Sequence, residues 1–340
     1  MPAKILPTHT PALFLEAVDR AAHLLRQGQV VALPTETVYG LAANAWDPDA
    51  VARIYAIKGR PAANPVIVHI ADAAQAARCT PEWSPLAARL SAAFWPGPLT
   101  LVVPRSRHVP DRVTAGGSSV GLRWPQHPLM LAVIRACGFP LAAPSANPSN
   151  ALSPSNAAHV AQTLGDRIPL IVDGGDCNVG IESTVVDVTG PIPRILRPGI
   201  LSSDAISIAA GVQAIRHTPD ATPTSDPLRS PGQLSRHYAP LAPLVVCQWT
   251  DDNDLARQLA RDRSNPADVW IVAHRRIPNS ERFPNVILIP DDPEAFARAL
   301  YGELHRCDLG GARRIVVEAV PDKPAWDGIA DRLRRAAHPR

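Results

Sequence analysis

Little in this sequence offers a metal, a disulfide or a membrane. Its five cysteines, Cys79, Cys137, Cys177, Cys247 and Cys307, are scattered without a C-x-x-C pair. Neither a zinc cluster nor a disulfide framework is indicated, and a reducing compartment is expected. No apolar run approaches the length of a membrane span, and the first residues lack the charged start and apolar middle of a signal peptide. These absences predict a soluble, cytoplasmic protein without membrane contact. No G-x-G-x-x-G loop is present, so no dinucleotide is assigned, and no internal repeat is evident. Charge of neither sign dominates: a net +3 permits contact with phosphates or RNA but is far below the excess of a dedicated nucleic-acid binder.

What is present is the composition of a folded protein, 46% apolar and 19% charged, with 37 prolines against 20 glycines that imply many stiff turns. A length of 340 residues suits two domains of unequal size. Thr10-Pro11, Asp47-Pro48, Ser84-Pro85 and Ser153-Pro154 each read as a cap followed by a helix, and Gly28 sits where the first helix should stop. Strands are expected at 29–33, 65–70, 99–103, 119–123, 140–143, 168–172, 184–188 and 194–196, with a helix over 127–136. This predicts a mixed α/β domain over 10–210. From 211 to 243 the periodicity disappears and prolines recur, which reads as a linker. A second alternation of strands and helices over 244–340 predicts a smaller Rossmann-like α/β domain.

Chemistry concentrates in the loops between these elements. Lys58 and Arg60 flank a glycine just past a helix, and two cations on one short loop suit phosphate oxygens, although a basic helix terminus favoured by the dipole has the same look. Asn64 offers an amide for a base or ribose, and His69 ends the next strand. Ser145-Ala146-Asn147 follows an apolar strand, where small hydroxyl residues let a ligand approach the backbone; a plain turn is the alternative. Ser153 reads as a helix cap or as part of an anion site at a helix N-terminus. Arg123 and Arg197 suit a carboxylate or a phosphate, and equally a surface ion pair. Ser230-Pro231-Gly232-Gln233-Leu234-Ser235-Arg236-His237-Tyr238-Ala239-Pro240 puts an aromatic and several donors into the linker, making it a candidate lid. These loops are expected to meet at one edge of the sheet. The residues alone lead to a phosphate-binding α/β domain.

The ordered blocks PTETVYGL (34–41), KGRPAANPVIVHI (58–70), FWPGPLTLV (94–102), SVGLRWPQHP (119–128), PSAN (144–147), IESTVVD (181–187) and RILRPG (194–199) resemble the YrdC-like family of threonylcarbamoyl-AMP synthases. The linker SPGQLSRHYAP and the ending DGIADRLRRAA resemble its long, two-domain form. The resemblance implies a nucleotidyltransferase that condenses L-threonine, bicarbonate and ATP, with Mg²⁺ accompanying ATP, to threonylcarbamoyl-AMP and pyrophosphate. The product would pass to a downstream threonylcarbamoyl transferase acting on tRNA beside the anticodon. It further implies that Arg60, Asn64, Ser119, Ser145, Ser153, Arg197 and Tyr238 contact ATP. Thr37, His69, Arg123, Ala143 and Ser183 would surround threonine, with Lys58, Arg60, Ser145 and Asn147 as the catalytic set. At 119 the family commonly has threonine, and Ser119 keeps the hydroxyl. A non-catalytic RNA-binding module on the same domain is the competing expectation.

Overall fold

The computed structural model describes residues 2–216, 237–261 and 265–339, and their strands form two sheets. The larger contains β1 (Lys4–Pro7), β2 (Val31–Leu33), β3 (Gly40–Asn44), β4 (Val68–His69), β5 (Leu99–Pro104), β6 (Ser119–Arg123), β7 (Leu141–Ala142), β8 (Leu170–Asp173), β9 (Thr184–Asp187), β10 (Arg194–Arg197) and β11 (Ile215–Arg216). Its order is β1-β8-β2-β3-β7-β4-β6-β5-β9-β10-β11, with parallel and antiparallel neighbours mixed. The smaller sheet, β12 (Leu244–Cys247), β13 (Val269–Ala273), β14 (Val286–Leu288) and β15 (Arg314–Glu318), is parallel throughout in the order β12-β15-β13-β14. The expected lid segment 230–240 lies outside the described residues up to 236; His237 onward is described.

The helices follow local chemistry. α1 (Pro11–Arg26), α2 (Pro48–Lys58) and α4 (Pro85–Phe94) are opened by Thr10, Asp47 and Ser84, whose side chains accept from backbone N–H groups of the first turn, with proline directly after each. α3 (Ala73–Cys79), α5 (Asp111–Thr114), α6 (Pro128–Cys137), α7 (Ala157–Leu164) and α8 (Ser203–Ala210) complete the larger unit; α9 (Asp252–Arg261), α10 (Pro293–Leu309) and α11 (Asp327–Ala336) flank the smaller sheet. Ser153 does not cap α7: Asn156 does, accepting from the His159 N–H. No described helix is long and apolar enough to cross a membrane.

The two faces of the large sheet are built differently. Val66, Val68, Val120 and Leu122 join the main core with α2, α3, α4 and α7. By the two-residue alternation of a strand, Ile67, His69, Gly121 and Arg123 face the other way. On that second face α1 and α6 cover β1, β8, β2 and β3, and beyond them the sheet carries polar side chains. The second domain packs there: Val38, Leu152 and Ile181 of the large unit share a core with Leu300, Tyr301, Leu304, Trp326 and Ile329.

This docking requires backbones to touch. A Cβ on Gly328, at the start of α11, would lie 2.5 Å from the carbonyl oxygen of Gly199. Gly328→Ala should therefore force the domains apart and destabilise the protein by about 1–3 kcal/mol, read as a lower urea midpoint. Gly190→Ala, where nothing lies within 4 Å, serves as control; equal midpoints for the two variants would contradict the close contact.

Candidate functional site

The cleft lies across the polar part of that sheet face and not at the sheet's edge, because strand alternation, as well as loop position, delivers its side chains. Of the residues anticipated from sequence, Thr37, Arg60, His69, Arg123, Ala143, Ser145, Ser183, Arg197 and Tyr238 line one cavity. Lys58, Asn64, Ser119, Asn147 and Ser153 do not line it. Four of these five support it from behind or beside, and Ser119 sits four residues before Arg123 on the same strand face, roughly 13 Å away by strand rise.

At one end Arg123, on β6, is 4% exposed, donates to Thr37 Oγ1 at 2.9 Å and forms an ion pair with Glu36 at 2.7 Å. That pair is poorly aligned for hydrogen bonding, and Arg123 Nη2 and both Glu36 oxygens have no hydrogen-bond partner. His69, beside Arg123 in the β4–β6 register, keeps an unpartnered Nδ1. Burial, with the Arg123 charge adding to it, lowers its pKa to about 3, so it is a neutral imidazole near pH 7 and a weak base. Ser183 closes this end, sharing a hydrogen bond with Thr100 Oγ1 at 2.8 Å.

The other end is cationic. Gly59, with φ of 60°, ends α2 in the left-handed conformation and turns Arg60 inward. Arg60 donates to the Asn64 carbonyl and side-chain oxygens at 2.9 and 2.7 Å, which explains why Asn64 sits behind the cavity wall. Burial lowers the Arg60 pKa to about 10, still far above neutrality. Arg197 donates to the Ser183 carbonyl oxygen at 2.9 Å. Lys58 Nζ is directed at the backbone of the serine loop, donating to the carbonyl oxygens of Ser145 and Asn147 at 2.5 Å each. Its pKa is held well below the usual lysine range by burial first and by Arg60 second. Asn147 Nδ2 donates to the Ala151 carbonyl, tightening the same loop. Tyr238, also at φ 60°, is 1% exposed with no hydrogen-bond partner for its hydroxyl.

Sequence reasoning passed over Glu182, which lines the cavity and is 6% exposed. Ser153 Oγ donates to one of its oxygens at 2.5 Å, while Tyr301 and Arg332 of the second domain donate to the other at 3.0 and 2.7 Å. Burial would raise its pKa, but Arg332 and Arg197 outweigh burial and bring it to about 2. Its place directly before Ser183 in the IESTVVD block was visible; partners 119 and 150 residues away were not. Arg60, Arg123 and Arg197 line the cleft with Glu182, while Glu36 pairs with Arg123 behind it and Glu182 is additionally matched by Arg332. Among the described residues the cleft is net positive and lacks an unpaired carboxylate, and so suits a polyanion beside a small carboxylate.

Two family models match the chain. The one described as "Telomere recombination", for the Sua5, YciO and YrdC proteins, spans residues 23–199, and the one described as "Threonylcarbamoyl-AMP synthase, C-terminal domain" spans 203–338. The chain belongs to the Sua5/YrdC family, in its two-domain form. It is 39% identical over 320 residues to a threonylcarbamoyl-AMP synthase of Pyrococcus abyssi, covering 93% of each. It is 40% identical over 322 residues to one of Bacillus subtilis, covering 94% of this chain and 92% of that one. The crystal structure of P. abyssi Sua5 complexed with L-threonine superposes with a TM-score of 0.90 at 37% identity, covering 98% of each chain.

At the domain boundary beside Ser153, His159 and His305 stack at 3.9 Å, and His305 Nε2 lies 3.2 Å from the Ser153 carbonyl oxygen. Burial lowers both pKa values to about 4. Below the ordinary histidine value of about 6.5 the unfolded chain binds protons that these folded histidines refuse, so stability falls as pH drops from about 6.5 to 4. His305→Phe should reduce that slope by about one proton, near 1.4 kcal/mol per pH unit, in urea titrations at several pH values. An unchanged slope would contradict the neutral stack.

Proposed function

We infer that this protein is a threonylcarbamoyl-AMP synthase, a nucleotidyltransferase that condenses L-threonine, bicarbonate and ATP to threonylcarbamoyl-AMP and pyrophosphate. The observation that carries the reading is a single buried, net-positive cleft with a carboxylate-binding end at Arg123 and a phosphate-binding end at Arg60 and Arg197. In this assignment the threonine carboxylate pairs with Arg123, and its hydroxyl and amine meet Thr37, His69, Ala143 and Ser183. The threonine amine attacks bicarbonate to give a carbamate, with loss of water. A carbamate oxygen then attacks the α-phosphorus of ATP, and the bond to pyrophosphate breaks. Arg60 and Arg197 offset the charge gathering on the departing phosphates, Ser145 and Tyr238 contact the nucleotide, Ser119 takes its outer part, and Asn64 and Ser153 hold Arg60 and Glu182 in place for it. Lys58 and Asn147 hold the serine loop in shape. The chain's work is positioning and charge compensation; His69, held neutral and weakly basic, is a hydrogen-bonding partner of threonine.

Magnesium accompanies the nucleotide in this assignment. Among the described residues no group of three or more His, Cys, Asp or Glu could hold a metal, and Glu36 and Glu182 are both paired with arginine. The phosphates themselves are the fitting ligands for the ion. The adenylate product then serves a downstream threonylcarbamoyl transferase that modifies tRNA.

Pyrophosphate release should require threonine and bicarbonate together and no RNA. RNA binding without turnover would favour a non-catalytic RNA-binding module, and ATP cleavage indifferent to threonine would overturn the substrate assignment. The two ends should also separate by mutation. Arg60→Ala removes charge-assisted hydrogen bonds worth about 1.5–3 kcal/mol, on the order of ten- to a hundredfold in ATP use, whereas Arg123→Ala should chiefly weaken threonine. Steady-state kinetics with each substrate varied checks the split; an Arg60→Ala protein that stays folded with unchanged ATP affinity would contradict the phosphate role.

A further inference from the structure

Behind the cleft wall, against Glu182, lies a cationic side chain of the second domain. Arg332, on α11, is 1% exposed. Its Nε donates to Glu182 Oε2 at 2.7 Å, its Nη2 to the Glu182 carbonyl oxygen at 3.3 Å, and its Nη1 to the Pro198 carbonyl oxygen at 3.0 Å. Its guanidinium carbon also lies 4.9 Å from the centre of the Tyr238 ring. It thus touches the chain directly before Ser183, directly after Arg197, and at Tyr238.

We propose that Arg332 is a positioning residue for the nucleotide, which takes up the Glu182 carboxylate and so leaves the Arg197 guanidinium to the triphosphate. The proposal rests on the ATP-using function inferred above. Its logic is competition for a cation. Glu182 and Arg197 lie close enough to stabilise one another's charge, yet Arg197 donates to Ser183 while Glu182 accepts from Arg332, Ser153 and Tyr301. A buried carboxylate that loses its partner either recruits the next cation or becomes protonated. Without Arg332, Glu182 at neutral pH would draw Arg197 away from the phosphates; at lower pH it would protonate and release Arg197.

The groups facing Glu182 restrict the pH argument. Tyr301 on α10 and Tyr238 are phenols whose pKa burial raises, so they stay neutral. His237, at about 3, stays neutral through the physiological range, and Asp331 of α11, to which Arg332 Nη1 also donates at 2.9 Å, stays ionised, paired in addition with Arg334 and Arg335. Lys58, whose pKa burial holds well below the usual lysine range, also feels the Glu182 charge. A variant that also lacks the Glu182 carboxyl separates the two.

The test compares Arg332→Gln, Arg332→Lys and the double variant Arg332→Gln/Glu182→Gln in the full-length protein. ATP affinity by calorimetry and the KM of each substrate are measured between pH 6 and 8. Arg332→Gln should weaken ATP at least tenfold at pH 8 with the threonine KM little changed, and recover ATP affinity as the pH falls. Arg332→Lys, which keeps the charge and loses the fork, should weaken ATP less. The double variant should bind ATP better than Arg332→Gln at pH 8 and lose the pH dependence. If Arg332→Gln fails to fold, Arg332→Lys carries the comparison, with Glu182→Gln again added to it. Equal losses for ATP and threonine with no rescue by the second substitution, or ATP binding unaffected in the arginine variants, would overturn the proposal and leave Arg332 a domain fastener. Calorimetry needs no turnover, so wild-type protein that binds ATP but releases no threonine-dependent pyrophosphate would count against the function and not against Arg332.

Discussion

Four basic side chains buried around one cleft, two at the end of α2 and two on strands, with two carboxylates among them, set the terms for the rest of the molecule. Lys58, Arg60, Arg123 and Arg197 are each no more than 8% exposed, and an isolated buried charge is costly by several kcal/mol. Each is held by a different device. Lys58 is surrounded by carbonyl oxygens of the serine loop, Arg60 by the Asn64 turn, Arg123 by Glu36 and Thr37, and Arg197 by Ser183. These devices satisfy hydrogen bonds more fully than they cancel charge, so the cleft retains positive potential for an anionic ligand.

The second domain makes this arrangement tenable. A charged sheet face cannot be covered by an aliphatic helix pair in the way that α1 and α6 cover the neighbouring strands. The cover over Glu182 instead brings Arg332 and Tyr301, which satisfy the carboxylate while excluding water. Close approach of Gly199 to Gly328 and the shared core around Val38, Ile181 and Tyr301 fix the register in which those side chains arrive. The wall of the cleft in this chain therefore rests on a domain whose own parallel sheet, among the described residues, contributes no lining residue.

Helix starts were legible in the sequence because Thr10-Pro11, Asp47-Pro48 and Ser84-Pro85 combine an acceptor with a fixed φ, and both signals are local. The ordered motifs gave the family and most of the cavity lining for the same reason. What stayed hidden depended on distance or on competition between local rules. β3, Gly40–Asn44, has glycine and alanine where a strand usually has branched residues, and reads as loop until its neighbours β2 and β7 pair with it. Ser153 carries a cap signal as strong as Asn156, but its hydroxyl is drawn to Glu182 instead. Lys58 reads as a phosphate ligand from its spacing to Arg60, yet a helix terminus that closes on the serine loop turns it toward carbonyl groups. The pairing of Glu182 with Arg332 across 150 residues leaves no trace in either neighbourhood.

The central claim is that one chain joins threonine, bicarbonate and ATP in this cleft. It is tested most directly by incubating the purified full-length protein with ATP, threonine and isotopically labelled bicarbonate, without RNA, and following products by mass spectrometry. The account predicts an adenylate carrying both threonine and the bicarbonate label, formed in equal amount with pyrophosphate. ATP consumed to AMP or ADP with no labelled adenylate at any time would contradict it.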